Sequence, residues 1–205
     1  MSLKVLGVVP AAGRSTRMGS PKPLLDADGP TFLARVVGIL REGGASTVVV
    51  GVRESPGPVA AEARGAGARL VVPDDVEAGP IATVQAALRM VEDADALLLH
   101  PVDHPLVDPE TVRILIQAAR ESPEAGVVVP AVGEETGHPV LFRSALFAEL
   151  LEPDLEEGAR TVVRRDRDRV LEVQVNDPGV LADLNTLGDY RRHFPGSYRK
   201  RFQKW

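Results

Sequence analysis

The chain contains no cysteine and few aromatic residues. None of its 205 residues is Cys, and Phe, Trp and Tyr together make up 4%. The first absence excludes a disulfide scaffold, thiolate metal sites and a cysteine nucleophile. The second requires an aliphatic core, which a hydrophobic content of 44% can supply. The length favours one domain of ordinary to large size.

Long hydrophobic runs are also absent. No apolar stretch approaches the ~18–20 residues that cross a bilayer. The apolar run near the amino terminus, Val5–Val9, contains Gly7 and is stopped by Pro10. It is shorter than the roughly 7–15 apolar residues of a secretory signal. We therefore expect a soluble, cytoplasmic protein with no membrane partner.

Charge is distributed unevenly along the chain. The net charge is −5, yet the segment from Arg191 to Trp205 carries six Lys or Arg residues and no acid. The acidic remainder argues against nucleic-acid binding as the general function. We predict one domain over residues 1–190 and a basic C-terminal tail over residues 191–205. A solvated or partly disordered tail is favoured, and docking on an acidic neighbouring subunit or on RNA is the alternative.

Short β-branched runs alternate with helical periodicities. This alternation predicts an α/β fold: a Rossmann-like, three-layer α/β/α arrangement with a mostly parallel sheet and antiparallel additions in the second half. The predicted strands are Lys4–Val9, Thr47–Val52, Arg69–Val72, Asp95–His100, Gly126–Val129, Val140–Phe142 and Val170–Val175. The predicted helices cover 32–40, 81–91, a segment starting at Asp108-Pro109, 144–151 and a segment from Gly158.

The loop after the first strand has the composition of a phosphate site. Residues 10–22 read PAAGRSTRMGSPK and combine small residues with three cations, Arg14, Arg17 and Lys22. Backbone N–H groups in such a turn form an anion cradle, and Arg and Lys add charge that suits a polyphosphate. Walker A does not match, because five residues separate Gly13 from Gly19 and Ser20 follows. The dinucleotide fingerprint G-x-G-x-x-G is absent as well.

A carboxylate follows the fourth predicted strand. Asp103 lies just beyond that buried run. Ligands of open α/β sheets bind beyond the carboxyl ends of the strands. Magnesium typically takes one or two carboxylates together with substrate phosphates. Asp103 is therefore a candidate magnesium ligand facing the phosphate loop.

The histidines do not predict a zinc site. His100 and His104 are four residues apart, but prolines lie in and beside this span, so the pair does not share a helix. His104 follows Asp103 directly and is a candidate for contacting a ligand or ordering the loop. Ser15 lacks both a G-x-S-x-G elbow and a partner base, which argues against covalent catalysis.

The segment Ala11–Lys22, with its A-A-G-x-S-x-R-M-G-x-x-K pattern, resembles the signature of the MobA-like nucleotidyltransferases, in particular the molybdenum cofactor cytidylyltransferases. The resemblance continues through 137–142 (GHPVLF) and 183–186 (DLNT). It implies a Rossmann-like sheet, a bound nucleoside triphosphate, magnesium and transfer of a nucleotidyl group. It also implies a second metal ligand at Asn185, where the cytidylyl members usually carry an acid, and leaves Asp183 as a ligand or a structural residue.

The resemblance assigns further roles. It places His138 near the acceptor, together with His104, and directs the nucleobase and ribose to the segment of Gly79 and Thr83. The resulting catalytic set is Arg17, Lys22 and Asp103. The resulting nucleotide-binding set is Ala11, Ala12, Gly13, Arg14, Ser15, Arg17, Lys22, Gly79 and Thr83.

We expect Mg²⁺ as cofactor, with a nucleoside triphosphate and a phosphorylated acceptor such as molybdopterin as substrates. CTP is favoured over GTP, because Ala12 stands where GTP-using relatives tend to carry Gly. A sugar or polyol phosphate is the alternative acceptor, and a second copy of the chain or a client molybdoenzyme is the candidate protein partner.

Two other classes of protein stay open as alternatives to a nucleotidyltransferase. A nucleotide-sugar glycosyltransferase typically carries D-x-D, which 103–105 (DHP) lacks. A non-catalytic nucleotide sensor or cofactor chaperone is the second.

Overall fold

A mixed β-sheet forms the centre of the computed structural model, which describes residues 3–13 and 20–203. Its strands are β1 (Val5–Pro10), β2 (Thr47–Gly51), β3 (Arg69–Val71), β4 (Ala96–Leu99), β5 (Val127–Val132), β6 (Glu135–Thr136), β7 (Val140–Arg143) and β8 (Val170–Gln174). The helices are α1 (Phe32–Glu42), α2 (Pro58–Gly65), α3 (Pro80–Met90), α4 (Pro109–Glu121), α5 (Phe147–Leu150), α6 (Ala159–Arg165), α7 (Leu187–His193) and α8 (Pro195–Phe202). No helix in these ranges is long and apolar enough to cross a membrane.

The strands follow the order β3-β2-β1-β4-β7-β5-β6, with β8 paired to β5. The first four are parallel to one another. Strand β7 is antiparallel to both β4 and β5, and β8 runs parallel to β5. This arrangement confirms the predicted fold class. The strand predicted at Gly126–Val129 extends to Val132, and β7 lies between it and β4.

Two hydrophobic clusters cover the two faces of the sheet. Along β1 the side chains alternate, so that Val5 and Val9 face one cluster while Leu6 and Val8 face the other. The first cluster contains the apolar faces of α1, α2 and α4. The second contains those of α3, α5 and α6. Aliphatic side chains dominate both clusters, as the shortage of aromatic residues requires.

Local signals explain where several helices begin. The Asp108 side chain accepts a hydrogen bond from Glu110 N at 2.8 Å, and Pro109 occupies the first helical position, as predicted for α4. The stripe Leu33, Val36, Val37 and Leu40 is fully buried on α1. Sequence reasoning missed α2, whose buried positions are only Ala60 and Ala63. Two alanines leave little hydrophobic periodicity to detect.

Residues 191–203 are folded into helices, while their Arg and Lys side chains are exposed to solvent. They complete α7 and build α8, and Phe194 is buried against Phe32 with ring centroids 5.5 Å apart. The Tyr190 hydroxyl donates to the Asp26 carbonyl at 2.7 Å. Arg201 donates to Ser20 Oγ at 2.5 Å. The basic segment therefore packs on residues 20–28, and the division of the chain at residue 190 stays a prediction.

Replacing Phe194 tests this packing. Phe194→Ala should lower the free energy of unfolding by about 3–5 kcal/mol, because it removes a large buried side chain from the core. Phe202→Ala on the neighbouring helix α8 is the matched control and should cost less than about 1 kcal/mol, since Phe202 is 36% exposed. Urea unfolding followed by circular dichroism measures both. Equal, small losses would show that the segment does not pack as described.

Candidate active site

Two neighbouring parallel strands end at one edge of the sheet and place the predicted site residues there. Strand β1 leads into residues 11–13, and β4 leads into residues 100–103. The pairing of Val8 with Leu99 aligns the two strand ends. Side chains and backbone from both loops line one cavity of about 230 Å³. Its lining comprises Pro10, Ala11, Ala12, Gly13, Lys22, Pro23, Val76, Gly79, Pro80, Thr83, Pro101, Val102 and Asp103.

The described part of the glycine-containing loop is held by backbone contacts. Ala11 N donates to the Gly51 carbonyl at 2.9 Å, and Arg53 Nε donates to the Ala12 carbonyl at 3.1 Å. Gly13 has open space beside its Cα, because a Cβ added there would have no heavy atom within 4 Å among the described residues. Arg14, Ser15 and Arg17 lie outside the described residues, so their proposed phosphate contacts stay predictions.

Gly79 and Thr83 also line the cavity. Gly79 has a φ of +81° at the start of α3, a conformation that favours glycine. Thr83 is 1% exposed and packs on Gly51, where an added Cβ would overlap with Thr83 Oγ1. The cavity therefore joins Gly79 and Thr83 with Ala11–Gly13, and their nucleotide contacts stay predictions.

The ammonium group of Lys22 donates hydrogen bonds to both predicted metal ligands, Asp103 and Asn185. Its ammonium Nζ lies 3.0 Å from Asp103 Oδ2 and 2.8 Å from Asn185 Oδ1. The two oxygens come from residues 82 positions apart in the chain and converge on one positive charge. A carboxylate and an amide oxygen that share a cation are a donor set suited to a hard divalent ion. The residues present therefore fit magnesium.

Neighbouring residues orient the side-chain amide of Asn185, the second predicted metal ligand. Asn185 Nδ2 donates to Asp183 Oδ2 at 2.5 Å, which turns the amide oxygen toward Lys22. Leu184 N donates to the Asp103 carbonyl at 2.9 Å and ties the two backbone segments together. Asp183 thus acts on Asn185 in this structure. Across the described ranges, no three His, Asp or Glu side chains cluster as a metal site, so substrate oxygens and water would complete the coordination.

Three histidines lie close to Asp103. The rings of His104 and His138 are 4.8 Å apart at 61°. His100 Nε2 donates to the His104 carbonyl at 2.9 Å, which places the proton of the neutral ring on Nε2. Within residues 3–13 and 20–203, the Nδ1 atoms of all three rings are buried without a hydrogen-bond partner.

Burial keeps these rings neutral. Desolvation lowers the pKa of His100 to about 3 and that of His138 to about 4, and it also lowers the pKa of His104. The predicted acceptor residues His104 and His138 are thus brought together. They can present neutral ring atoms beside Asp103, and their contact with an acceptor stays a prediction.

Two arginines near the site carry no strong sequence signal. Arg53 holds the Ala12 carbonyl and pairs with Glu77 at 3.1 Å. Arg160 lines a cavity of about 350 Å³ together with His138, Val140 and Phe142. Both residues lie outside the resembling motifs, and surface arginines are common. Only their positions in the fold relate them to the site.

A family model described as "MobA-like NTP transferase domain" matches residues 7–170. The chain belongs to this nucleotidyltransferase family. That match bears out the resemblance inferred from the Ala11–Lys22 signature.

Individual relatives agree with this assignment. The chain is 30% identical over 197 residues to a probable molybdenum cofactor guanylyltransferase of Mycobacterium avium, covering 93% of this chain and 95% of the relative. A protein of the same description from Opitutus terrae is 37% identical over 195 residues, covering 91% and 93%. A 2-C-methyl-D-erythritol 4-phosphate cytidylyltransferase of Saccharopolyspora erythraea is 33% identical, covering 64% of this chain and 62% of the relative.

Solved structures show the same fold. A Methanothermobacter nucleotidyl transferase superposes with a TM-score of 0.80 at 25% identity, covering 96% of this chain and 99% of that one. Rv0371c of Mycobacterium tuberculosis, solved in complex with manganese, gives a TM-score of 0.73 at 29% identity and covers 94% and 99%.

The neutral state of His100 predicts a pH-dependent stability. Because its pKa is about 3 in the folded protein and about 6.5 when unfolded, the unfolded chain binds more protons as the pH falls. The contribution of this residue to the free energy of unfolding should therefore be complete above pH ~6.5. It should decrease as the pH falls toward 4, by up to about 1.4 kcal/mol per pH unit.

His100→Gln keeps a side-chain donor for the His104 carbonyl and removes the titration. Urea unfolding between pH 4 and pH 7 should give it a shallower pH slope than the wild type. The matched control, His193→Gln, makes the same substitution at an exposed ring on α7. A wild-type slope in the His100 variant would refute the assignment.

Proposed function

We propose that this protein transfers a nucleoside monophosphate from a nucleoside triphosphate to a phosphorylated acceptor and releases pyrophosphate. The observation that carries the proposal is the convergence of Lys22, Asp103 and Asn185, of which Lys22 and Asp103 line the same cavity as Ala11–Gly13, Gly79 and Thr83. Membership of the MobA-like family supports it.

In this proposal the chain positions two anions. The backbone N–H groups after β1, with Arg17 and Lys22, hold the β- and γ-phosphates and the charge that develops on pyrophosphate. Asp103 and Asn185 would hold Mg²⁺, which acts as a Lewis acid on the phosphate oxygens. An acceptor phosphate oxygen attacks the α-phosphorus in line, and the bond from that phosphorus to the pyrophosphate oxygen breaks.

No strong general base is required for this reaction. An acceptor phosphate is already ionised near neutral pH, since its second pKa is about 6. The neutral rings of His104 and His138 are therefore assigned to positioning rather than to proton abstraction. Positioning and charge neutralisation then supply the catalysis.

The acceptor is proposed to lie beyond His138. The cavity there is lined by apolar side chains, among them Val140 and Phe142, and by the exposed cation Arg160. An apolar wall beside a guanidinium suits a flat or aliphatic body that carries a phosphate. A phosphorylated pterin of the molybdenum cofactor has this chemistry, and that cofactor appears in the names of the relatives from Mycobacterium avium and Opitutus terrae.

GTP is the nucleotide we propose. The relatives described above that align over more than nine-tenths of this chain are named guanylyltransferases, and the cytidylyltransferase aligns over 64%. The preference for CTP rests on Ala12 in place of the Gly that GTP-using relatives tend to carry, where one methyl group near the base would crowd a purine, and it gains no support from these relatives. In the structure Ala12 is 8% exposed, so its side chain offers little surface to a base.

Asp103→Asn tests the proposed chemistry. It preserves side-chain volume but removes a charge from the cation site, so pyrophosphate release should fall roughly 10²–10³-fold. The measurement uses Mg²⁺, GTP or CTP, and either molybdopterin or 2-C-methyl-D-erythritol 4-phosphate. Asp93→Asn is the control, because this exposed acid pairs with Lys4 at the far end of the sheet. Wild-type turnover by Asp103→Asn would refute the proposal, and nucleotide binding without any turnover in the wild type would favour the sensor.

A thermal-shift panel with the four nucleoside triphosphates and Mg²⁺ tests the base preference. At a hundred times its dissociation constant a ligand adds about 2.7 kcal/mol of stability, which is roughly 5–10 °C for a chain of this size. GTP should give the largest shift in the wild type. A larger shift with CTP that disappears in Ala12→Gly would instead support the cytidylyl preference.

A further inference from the structure

The Lys22 ammonium occupies the place of a cation between Asp103 and Asn185. Its Nζ lies within 3.0 Å of Asp103 Oδ2 and 2.8 Å of Asn185 Oδ1. The Lys22 side chain is only 12% exposed, and that of Asp103 is 25% exposed. The two oxygens therefore meet a positive charge that is largely withdrawn from water.

A divalent ion cannot share these oxygens with Lys22 in its present position. Magnesium binds oxygen at 2.0–2.1 Å and demands near-octahedral geometry. An ion placed between the two oxygens would lie almost in contact with the ammonium. Like charges at that separation repel strongly, most of all where water is partly excluded. Either the Lys22 ammonium moves away from these two oxygens, or the divalent ion does not bind to them.

The contacts of these residues indicate which group moves. Asn185 is held by Asp183 at 2.5 Å, and the Asp103 carbonyl accepts from Leu184 N at 2.9 Å. Lys22, by contrast, extends a flexible four-carbon side chain from a short 3-10 turn, Lys22–Leu24. Its ammonium donates to the two oxygens in question. A phosphate nearby would offer the ammonium an alternative partner.

We propose that Lys22 closes the metal site in the nucleotide-free protein and opens it when a triphosphate draws its ammonium away. This inference rests on the proposed function, because it takes the triphosphate to be the ligand of the same cavity. Metal and nucleotide then bind with positive coupling. Thermodynamic linkage requires that each tightens the binding of the other by the same factor.

Mn²⁺ binding to the nucleotide-free protein, measured by electron paramagnetic resonance of the free ion, tests the closed state without reference to turnover. Lys22→Met keeps an unbranched side chain of nearly the same length and removes its charge, so the Mn²⁺ dissociation constant should fall roughly tenfold or more. Adding Asp103→Asn to this variant should abolish the gain, which places the ion at this site.

Arg53→Met is the matched control for general electrostatics. Arg53 is a cation beside the same loop, but its guanidinium donates to the Ala12 carbonyl and to Glu77. Its loss should change the Mn²⁺ dissociation constant by less than about threefold. If Lys22→Met binds Mn²⁺ no more tightly than the wild type, or no more tightly than Arg53→Met, the proposal is wrong.

The wild type supplies an independent measurement should Lys22→Met fold poorly. A non-hydrolysable triphosphate should tighten Mn²⁺ binding, and Mn²⁺ should tighten triphosphate binding by the same factor, about 5- to 150-fold. Independent binding of the two would overturn the inference. If the proposed function is wrong, the protein releases no pyrophosphate. Lys22→Met should still bind Mn²⁺ more tightly than the wild type in that case.

Discussion

Strands β1 and β4 lie side by side and run in the same direction, and the site depends on that pairing. Their register aligns the two strand ends, so the loop at 11–13 and the loop at 100–103 emerge at one edge of the sheet. A third segment reaches this edge from the far end of the chain through the hydrogen bond of Leu184 N to the Asp103 carbonyl. The proposed anion cradle and cation ligands thus come from segments that are distant in sequence.

The balance of charges at this edge of the sheet affects both the stability of the fold and the binding of a metal ion. A partly buried carboxylate costs free energy unless a positive charge or hydrogen bonds accompany it. Lys22 supplies that charge to Asp103, and the Asn185 amide adds an uncharged oxygen. The charges of Lys22 and Asp103 therefore balance each other, and Asn185 adds an oxygen to this pair without adding a charge.

The buried histidines at this edge of the sheet are uncharged, in contrast to the ion pair of Lys22 and Asp103. His100, His104 and His138 are kept neutral by desolvation. His138 lines the apolar cavity that Arg160 borders, and its ring contacts that of His104, which follows Asp103 in the chain. A phosphorylated acceptor with an apolar body would meet both environments at once. Aromatic residues stabilise a different region, since Tyr190 and Phe194 pack with Phe32 and secure the C-terminal helices.

Patterns in the amino-acid sequence are enough to predict the α/β class, most strand positions and the candidate residues around Ala11–Lys22 and Asp103. These features are local, because hydrophobic period, helix caps and motif spacing lie within short windows of the chain. The folded structure is needed to see that α8 packs on residues 20–28, that Arg160 borders the cavity beside His138, and that Lys22 contacts both Asp103 and Asn185. Each of these is a contact between residues far apart in the chain. Such contacts depend on how strands and helices are arranged in space, and no window of sequence records that arrangement.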